Sequence, residues 1–323
     1  MSVFPEPGLV LAGLPSTMDW EFGGFTYGLE PLTLPEPGDP DAAERPGGLP
    51  ENVYGTACEL IWRAGEDGVP GLSPAVTKDG AEELYWFRWI TGHQVSFISW
   101  RLMAQLAAGA DSGAIPVRAA LEQMRRFVRL YTAMLLYTGS CPGSLYHEMI
   151  RPSMRLRHPS FSGGWAPDFW PVRDLLRARR LAFPSSEELA SFVEAVKVHQ
   201  LVHDGIAAKL VPNGASLLRQ SSVRGSDMKL LHILYDNYFL TLRAGVGRQP
   251  IVAQMLRRLM AIAQDVAVNG LCLDGGDAEL PAQLLMGEAM RCVSEFADIL
   301  SDAACCAAQL PARARPSHTA GTR

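Results

Sequence analysis

From about residue 56 onward, apolar residues recur at three- and four-residue intervals, the spacing that gathers them on one side of an α-helix. The pattern predicts helices over about 54–65, 80–109, 114–138, 169–180, 186–211, 226–244, 249–269 and 280–309. Ser185 and Ser186 ahead of Glu187 and Glu188 read as a helix start, and Pro212-Asn213-Gly214 as the stop of the same helix. Alternation with a period of two is scarce, so the expected fold class is all-α, a single large helical domain. Residues 1–55 follow a different rule. Leu34-Pro35-Glu36-Pro37-Gly38-Asp39-Pro40 and Arg45-Pro46-Gly47-Gly48-Leu49-Pro50 cannot sustain a helix. Trp20, Phe22, Phe25 and Tyr27 nonetheless put aromatic rings there, which predicts an irregular Pro/Gly-rich segment packed on a body of residues 56–310. Residues 139–168, dense in Gly, Pro, Arg and Ser, read as one long irregular loop, and 311–323 as a flexible tail.

Composition narrows the function. Hydrophobic residues make up 48% and charged residues 20% of the 323, enough for one sizeable core. The formal charge of -5 offers no basic footprint, so nucleic acid is not an expected partner. No apolar run is long enough to span a bilayer, and no basic stretch followed by an apolar one opens the chain, so a cytoplasmic protein without a membrane partner is expected. The six cysteines form neither a CxxC pair nor a zinc-like spacing and read as buried thiols.

The most informative stretch is Trp86-Phe87-Arg88-Trp89-Ile90-Thr91-Gly92-His93-Gln94-Val95-Ser96-Phe97-Ile98-Ser99-Trp100. At helical spacing Trp86, Trp89, Ile90, His93, Phe97 and Trp100 share one broad face, which turns His93 into the apolar interior. A lone histidine in such a place is more often a hydrogen-bonded core residue than a ligand. A second candidate is the pair His199 and His203, four residues apart and therefore on one helical face. Gln200 stands where a zinc peptidase would carry its glutamate base, so that reading is poor. Either the pair is satisfied by Asp204 or backbone, or one imidazole is an axial metal ligand. Among the arginines of the 139–168 stretch, Arg155 and Arg157 read as solvated or paired with Glu187 and Glu188. Arg151, between Ile150 and Pro152, reads as pointing inward, where a guanidinium suits a carboxylate.

Ile90-Thr91-Gly92-His93-Gln94 with Phe97 and Trp100 resembles the distal-histidine helix of tryptophan 2,3-dioxygenase. The helix with His199, Ile206 and Lys209, followed by Pro212-Asn213-Gly214-Ala215-Ser216, resembles the proximal-ligand helix and its glycine-rich loop. Within this histidine-ligated, haem-dependent aromatic oxygenase superfamily, the chain length and Ile150-Arg151-Pro152-Ser153 are most similar to the haem-dependent L-tyrosine 3-hydroxylases of natural-product pathways. The resemblance covers roughly residues 55–310. The dioxygenases' Gly-Thr-Gly-Gly loop is absent, which argues against tryptophan ring opening, and the spacing to Lys209 slips by about one residue, which leaves His203 open beside His199.

The resemblance implies the tryptophan 2,3-dioxygenase fold, a haem b held through iron by His199, which fits better than the alternative His203, and walls made by Trp86 and Trp100. It implies His93 as the catalytic acid-base residue, Arg151 on the substrate carboxylate, and Ser153, Ser96, Ser99 and Phe97 around the substrate. The implied partners are L-tyrosine or a substituted tyrosine, with hydrogen peroxide or dioxygen. The sequence does not decide whether the haem is covalently attached. A homodimer is the default expectation for a soluble oligomer. Two competing readings remain at this level: an indole oxygenase acting on a tryptophan derivative, and a non-catalytic helical protein that binds a small aromatic ligand.

Overall fold

A computed structural model describes residues 27–42, 51–67, 81–177, 186–211, 214, 216–217, 227–271, 273 and 280–310. Of the N-terminal aromatics, Trp20, Phe22 and Phe25 lie outside these residues, as do the tail and most of the Pro212–Ser216 turn. The architecture is all-α, with one minimal sheet. In chain order the elements are β1 (Leu32–Leu34), α1 (Glu51–Asp67), α2 (Ala81–Asp111), α3 (Val117–Gly139), α4 (Gly143–Leu145), a π-helical turn (Tyr146–Ile150) and α5 (Arg151–Arg157). After two 3-10 turns, Gly163–Trp165 and Pro167–Val172, come α6 (Arg173–Leu176), α7 (Glu187–Leu210), α8 (Met228–Tyr238), β2 (Thr241–Arg243), α9 (Arg248–Asn269), α10 (Ala282–Leu285), α11 (Gly287–Ser294) and α12 (Phe296–Ala307).

α2 is the central element. Its buried residues run from Leu84 to Ala110 and cover most of the helix circumference, the signature of a helix enclosed by others. It packs on α3 and α9, and α3 packs on α7. Two glycines set these crossings: a Cβ on Gly92 would lie 2.5 Å from Thr138 Cγ2, and one on Gly139 would lie 2.5 Å from Ile206 Cδ1. The α2–α3 and α3–α7 backbones therefore come close at these points, where any larger residue would push them apart.

The sheet is a two-stranded parallel pair, with Leu32 opposite Thr241 and Leu34 opposite Arg243. The Gln254 side chain completes β1, accepting from the Thr33 amide (2.8 Å) and donating to the Thr33 carbonyl (3.0 Å). Residues 27–34 are thus built into the body: Leu32 and Leu34 are fully buried, and Tyr27 meets the Phe87 ring edge-on.

Three expectations about elements change. The helix predicted over 226–244 ends at Tyr238, and its last residues form β2. The helix predicted over 280–309 is three helices, separated by the extended backbone at Met286 and by Glu295. The stretch read as irregular, 139–168, is helical from Gly143 to Arg157. Its prolines sit where helices accept them, Pro142 immediately before the first turn and Pro152 within the first turn of α5. Arg151 therefore stands on a helix rather than in a loop.

Candidate functional site

Between α2, α3 and α7 lies a cavity of about 630 Å³, within the usual range of about 300–1,000 Å³ for small-molecule sites. His93 from α2 and His199 from α7 both line it, with Tyr131 from α3 and Tyr235 from α8. α2, α3 and α7 touch at Gly92 and Gly139, and the cavity adjoins the first contact: His93 follows Gly92, and Thr138, which Gly92 faces, lines the cavity.

His93 is held on three sides. Its Nδ1 lies 2.6 Å from the Trp89 carbonyl oxygen, so Nδ1 carries the proton and donates, leaving Nε2 as an acceptor. Its ring stacks on Phe239 (4.4 Å, 21°) and packs against Trp89 (4.3 Å). Phe239 is fixed in turn by the neighbouring Gln94, whose side-chain amide donates to the Phe239 carbonyl (2.9 Å) while its oxygen accepts from Arg258 Nε (2.8 Å). Burial pushes the His93 pKa down to about 4, with the Trp89 carbonyl opposing the shift, so the imidazole is neutral at pH 7.

His199 is 6% exposed and stacks on Tyr131 (4.3 Å, 30°). Its Nδ1 is buried with no hydrogen-bond partner among the described residues. Burial, with a smaller contribution from the nearby His203, lowers its pKa to about 3. This imidazole too is neutral. His203 differs: its side chain is 57% exposed, and its Nδ1 lies 3.4 Å from Asp204, so it stands at the rim.

The remaining sequence candidates divide into two groups. Ser96 and Trp100 line the cavity; the Ser96 hydroxyl donates to the Gly92 carbonyl, and the buried Trp100 Nε1 has no partner among the described residues. Trp86, Phe97, Ser99, Arg151 and Ser153 do not line it. Ser99 spends its hydroxyl on the Val95 carbonyl, and Phe97 packs behind Trp100 and Tyr235. Trp86 meets the Tyr238 ring edge-on, and the Tyr238 hydroxyl shares a 2.8 Å hydrogen bond with Ser153. Arg151 bonds the Tyr146 phenol, which itself packs on Trp89. These residues form an aromatic and polar layer reached from His93 through Trp89 and Phe239, one shell removed from the cavity. Arg155 and Arg157 are exposed, and Glu188 pairs with Arg118 instead.

Sequence reasoning missed Tyr131, Tyr235, Phe169 and Arg177, all of which line the cavity. Arg243 holds two of the walls together. Its guanidinium grips Asp168, beside Phe169, at 2.7 and 3.1 Å, and Asp236, beside Tyr235, at 2.7 and 2.9 Å.

The donor set is suited to a planar metallocofactor rather than a bare ion. Among the described residues no group of three or more His, Cys, Asp or Glu comes together, so a metal held by side chains alone finds no ligand set there. A macrocycle that brings its own nitrogens needs only an imidazole and flat apolar walls. His199, neutral and with an orphaned Nδ1, beside Tyr131, Trp100 and Phe169, meets that need.

Residues 10–196 match the family model described as SfmD 3-methyl-L-tyrosine peroxygenase. The chain belongs to this family. It is accordingly an enzyme, an oxidation catalyst. The match includes His93, Arg151 and Ser153 and stops before His199, so the meeting of His93 and His199 at one cavity is an observation independent of the peroxygenase match. No curated protein matches the chain. No helix among the described residues is long and apolar enough to cross a membrane.

Proposed function

We propose that this chain is a haem-dependent hydroxylase of L-tyrosine or a ring-substituted tyrosine, adding a hydroxyl ortho to the phenol with hydrogen peroxide as oxidant. The net reaction converts a ring C–H and one peroxide into a ring C–OH, giving the catechol, and one water. The observation that carries the reading is the approach of His93 and His199, both neutral, to one cavity in a peroxygenase-family chain. Haem bound there supplies peroxide activation and oxygen transfer, chemistry that no side chain in the cavity provides.

His199 is the residue that would hold the iron, in preference to the exposed rim residue His203. His93, with Nδ1–H committed to Trp89, presents an unprotonated Nε2 that can take a proton from peroxide or substrate and return it. Its aromatic mounting keeps that nitrogen in place at the cavity wall. Arg177, which lines the cavity directly, is the guanidinium placed to meet the amino acid's carboxylate, while Arg151, the sequence candidate for that task, bonds Tyr146 behind the aromatic layer. Trp100 and Ser96 supply wall, and Ser153, Ser99, Phe97 and Trp86 hold that wall from behind.

A second reading exchanges the histidines. His93 already has the Nδ1–H to carbonyl bond that commonly orients a metal-ligating histidine, whereas the Nδ1 of His199 has none. One experiment separates them. Full-length protein expressed with added haem should show a Soret band. His199→Ala should abolish the band, and His93→Ala should keep it while losing tyrosine hydroxylation. The reverse outcome exchanges the roles, and no band in the parent protein overturns the haem reading.

A further inference from the structure

Tyr235 is 2% exposed, yet it lines the cavity, and its hydroxyl makes no hydrogen bond to any described residue. That hydroxyl is not among the fully buried unpartnered atoms, so it opens to the cavity that Tyr235 lines, where an occupant can meet it. The ring cannot easily turn away to find another partner. Phe161 stacks on it (5.5 Å, 16°), and Phe97 (5.7 Å) and Phe239 (4.8 Å) close two further sides. Phe239 is also the ring on which His93 stacks. The Tyr235 phenol and the His93 imidazole are therefore mounted on one support and present polar atoms to one cavity.

The local charge indicates which kind of oxygen this hydroxyl would meet. The carboxylates whose charge bears on this phenol are Asp236 and Asp168, both gripped by Arg243, two carboxylates against one guanidinium. Together with burial and the neighbouring Tyr131, these carboxylates raise the Tyr235 pKa well above its ordinary value, so the phenol remains a proton donor. The same field disfavours a carboxylate at this end of the cavity and tolerates an uncharged hydroxyl, which can both accept from Tyr235 and donate elsewhere.

We propose that Tyr235 is a specificity-determining residue whose hydroxyl binds the uncharged phenol oxygen of the amino-acid substrate beside His93. This rests on the reading of the cavity as the site of a tyrosine hydroxylase. Sites built to bond a substrate hydroxyl discriminate against the analogue that lacks it.

The test is calorimetric titration of L-tyrosine and L-phenylalanine into the haem-loaded full chain and into Tyr235→Phe, which keeps the ring and its packing. The parent should prefer tyrosine. Tyr235→Phe should weaken tyrosine binding about tenfold and leave phenylalanine within about twofold, the loss expected for one hydrogen bond. Equal weakening of both ligands, weakening of neither, no preference in the parent or no binding to the parent would overturn the proposal. An unchanged Soret band and circular dichroism spectrum in the variant separate this outcome from misfolding. A parent without a Soret band would defeat the haem reading, while the tyrosine–phenylalanine difference would still decide the role of Tyr235.

Discussion

Arg88 and His93 lie five residues apart on α2, and their surroundings are opposites. The Arg88 guanidinium binds both Asp265 oxygens (2.8 and 3.0 Å), the Ser140 hydroxyl (2.9 Å) and the Gly270 carbonyl (2.9 Å). Asp265 also accepts from Tyr137 (2.6 Å) and Asn269 (2.8 Å). Around the cavity, by contrast, His199 Nδ1, Trp100 Nε1 and the hydroxyls of Tyr131 and Tyr235 make no hydrogen bond to a described residue. A buried network whose charged groups are met from within the protein is scaffold, and a wall whose polar atoms are unmet is shaped for something else to meet them.

The largest effect should come from breaking the satisfied side. Asp265→Ala would leave the Arg88 charge buried beside an empty place, and losing one partner of such a pair costs about 3–5 kcal/mol. Denaturant unfolding monitored by circular dichroism should show the midpoint falling by a corresponding amount. A loss as large from Tyr235→Phe would erase the contrast between the two regions.

Acid should weaken the cavity side by a somewhat smaller amount. His93 has a folded-state pKa of about 4 against an ordinary 6.5, so below pH 6.5 the unfolded chain takes up a proton that the folded chain refuses. Stability present above pH 6.5 is therefore lost as the pH falls towards 4, on the order of 3 kcal/mol for this one group. Thermal melts of the haem-free chain between pH 7 and 4 measure this loss. His93→Phe should reduce the dependence, leaving the part that the buried His199 contributes, and an unchanged slope would show that the imidazole is not shielded as described.

Gly92→Ala should cost least, about 1–3 kcal/mol, since the new methyl meets the Thr138 side chain at 2.5 Å and the Tyr137 ring at 3.2 Å. Thr138 lines the cavity, so haem affinity should fall in the same variant. A melting temperature equal to the parent's would mean that the α2–α3 crossing yields more easily than its packing suggests.

The long helices were legible because their signal is local: α2, α3, α7 and α9 carry dense apolar periodicity, and Ser186 caps α7 by accepting from the Leu189 amide. β2 was not legible. Its partner lies about 200 residues away in β1, and three residues of pairing leave no period to read. The Gly143–Arg157 helices were hidden by reading proline as a breaker regardless of position. Within the site, His93 and His199 stood out because a histidine on an apolar face is chemically conspicuous. Tyr131 and Tyr235 did not, since a tyrosine at a core position looks the same whether its hydroxyl is satisfied or not. Arg151 was conspicuous for its charge, but sequence alone could not show that Tyr146 takes up its guanidinium and that the aromatic layer separates it from the cavity.

The pairing of β1 into the body bears on how the polypeptide can be shortened. Glu30 gives its carbonyl to Arg258 (2.8 Å) and its carboxylate to Arg257, and Thr33 occupies the Gln254 amide. Tyr27 accepts from Asn269 (2.9 Å). A trimmed version starting at Pro35 would remove what resembles a disposable Pro/Gly-rich leader. It would thereby take Glu30 away from two interior arginines of α9 and withdraw the Glu30 carbonyl that accepts from Gln94 beside His93. For expression, crystallisation or fusion design, the interior of this enzyme begins no later than Tyr27.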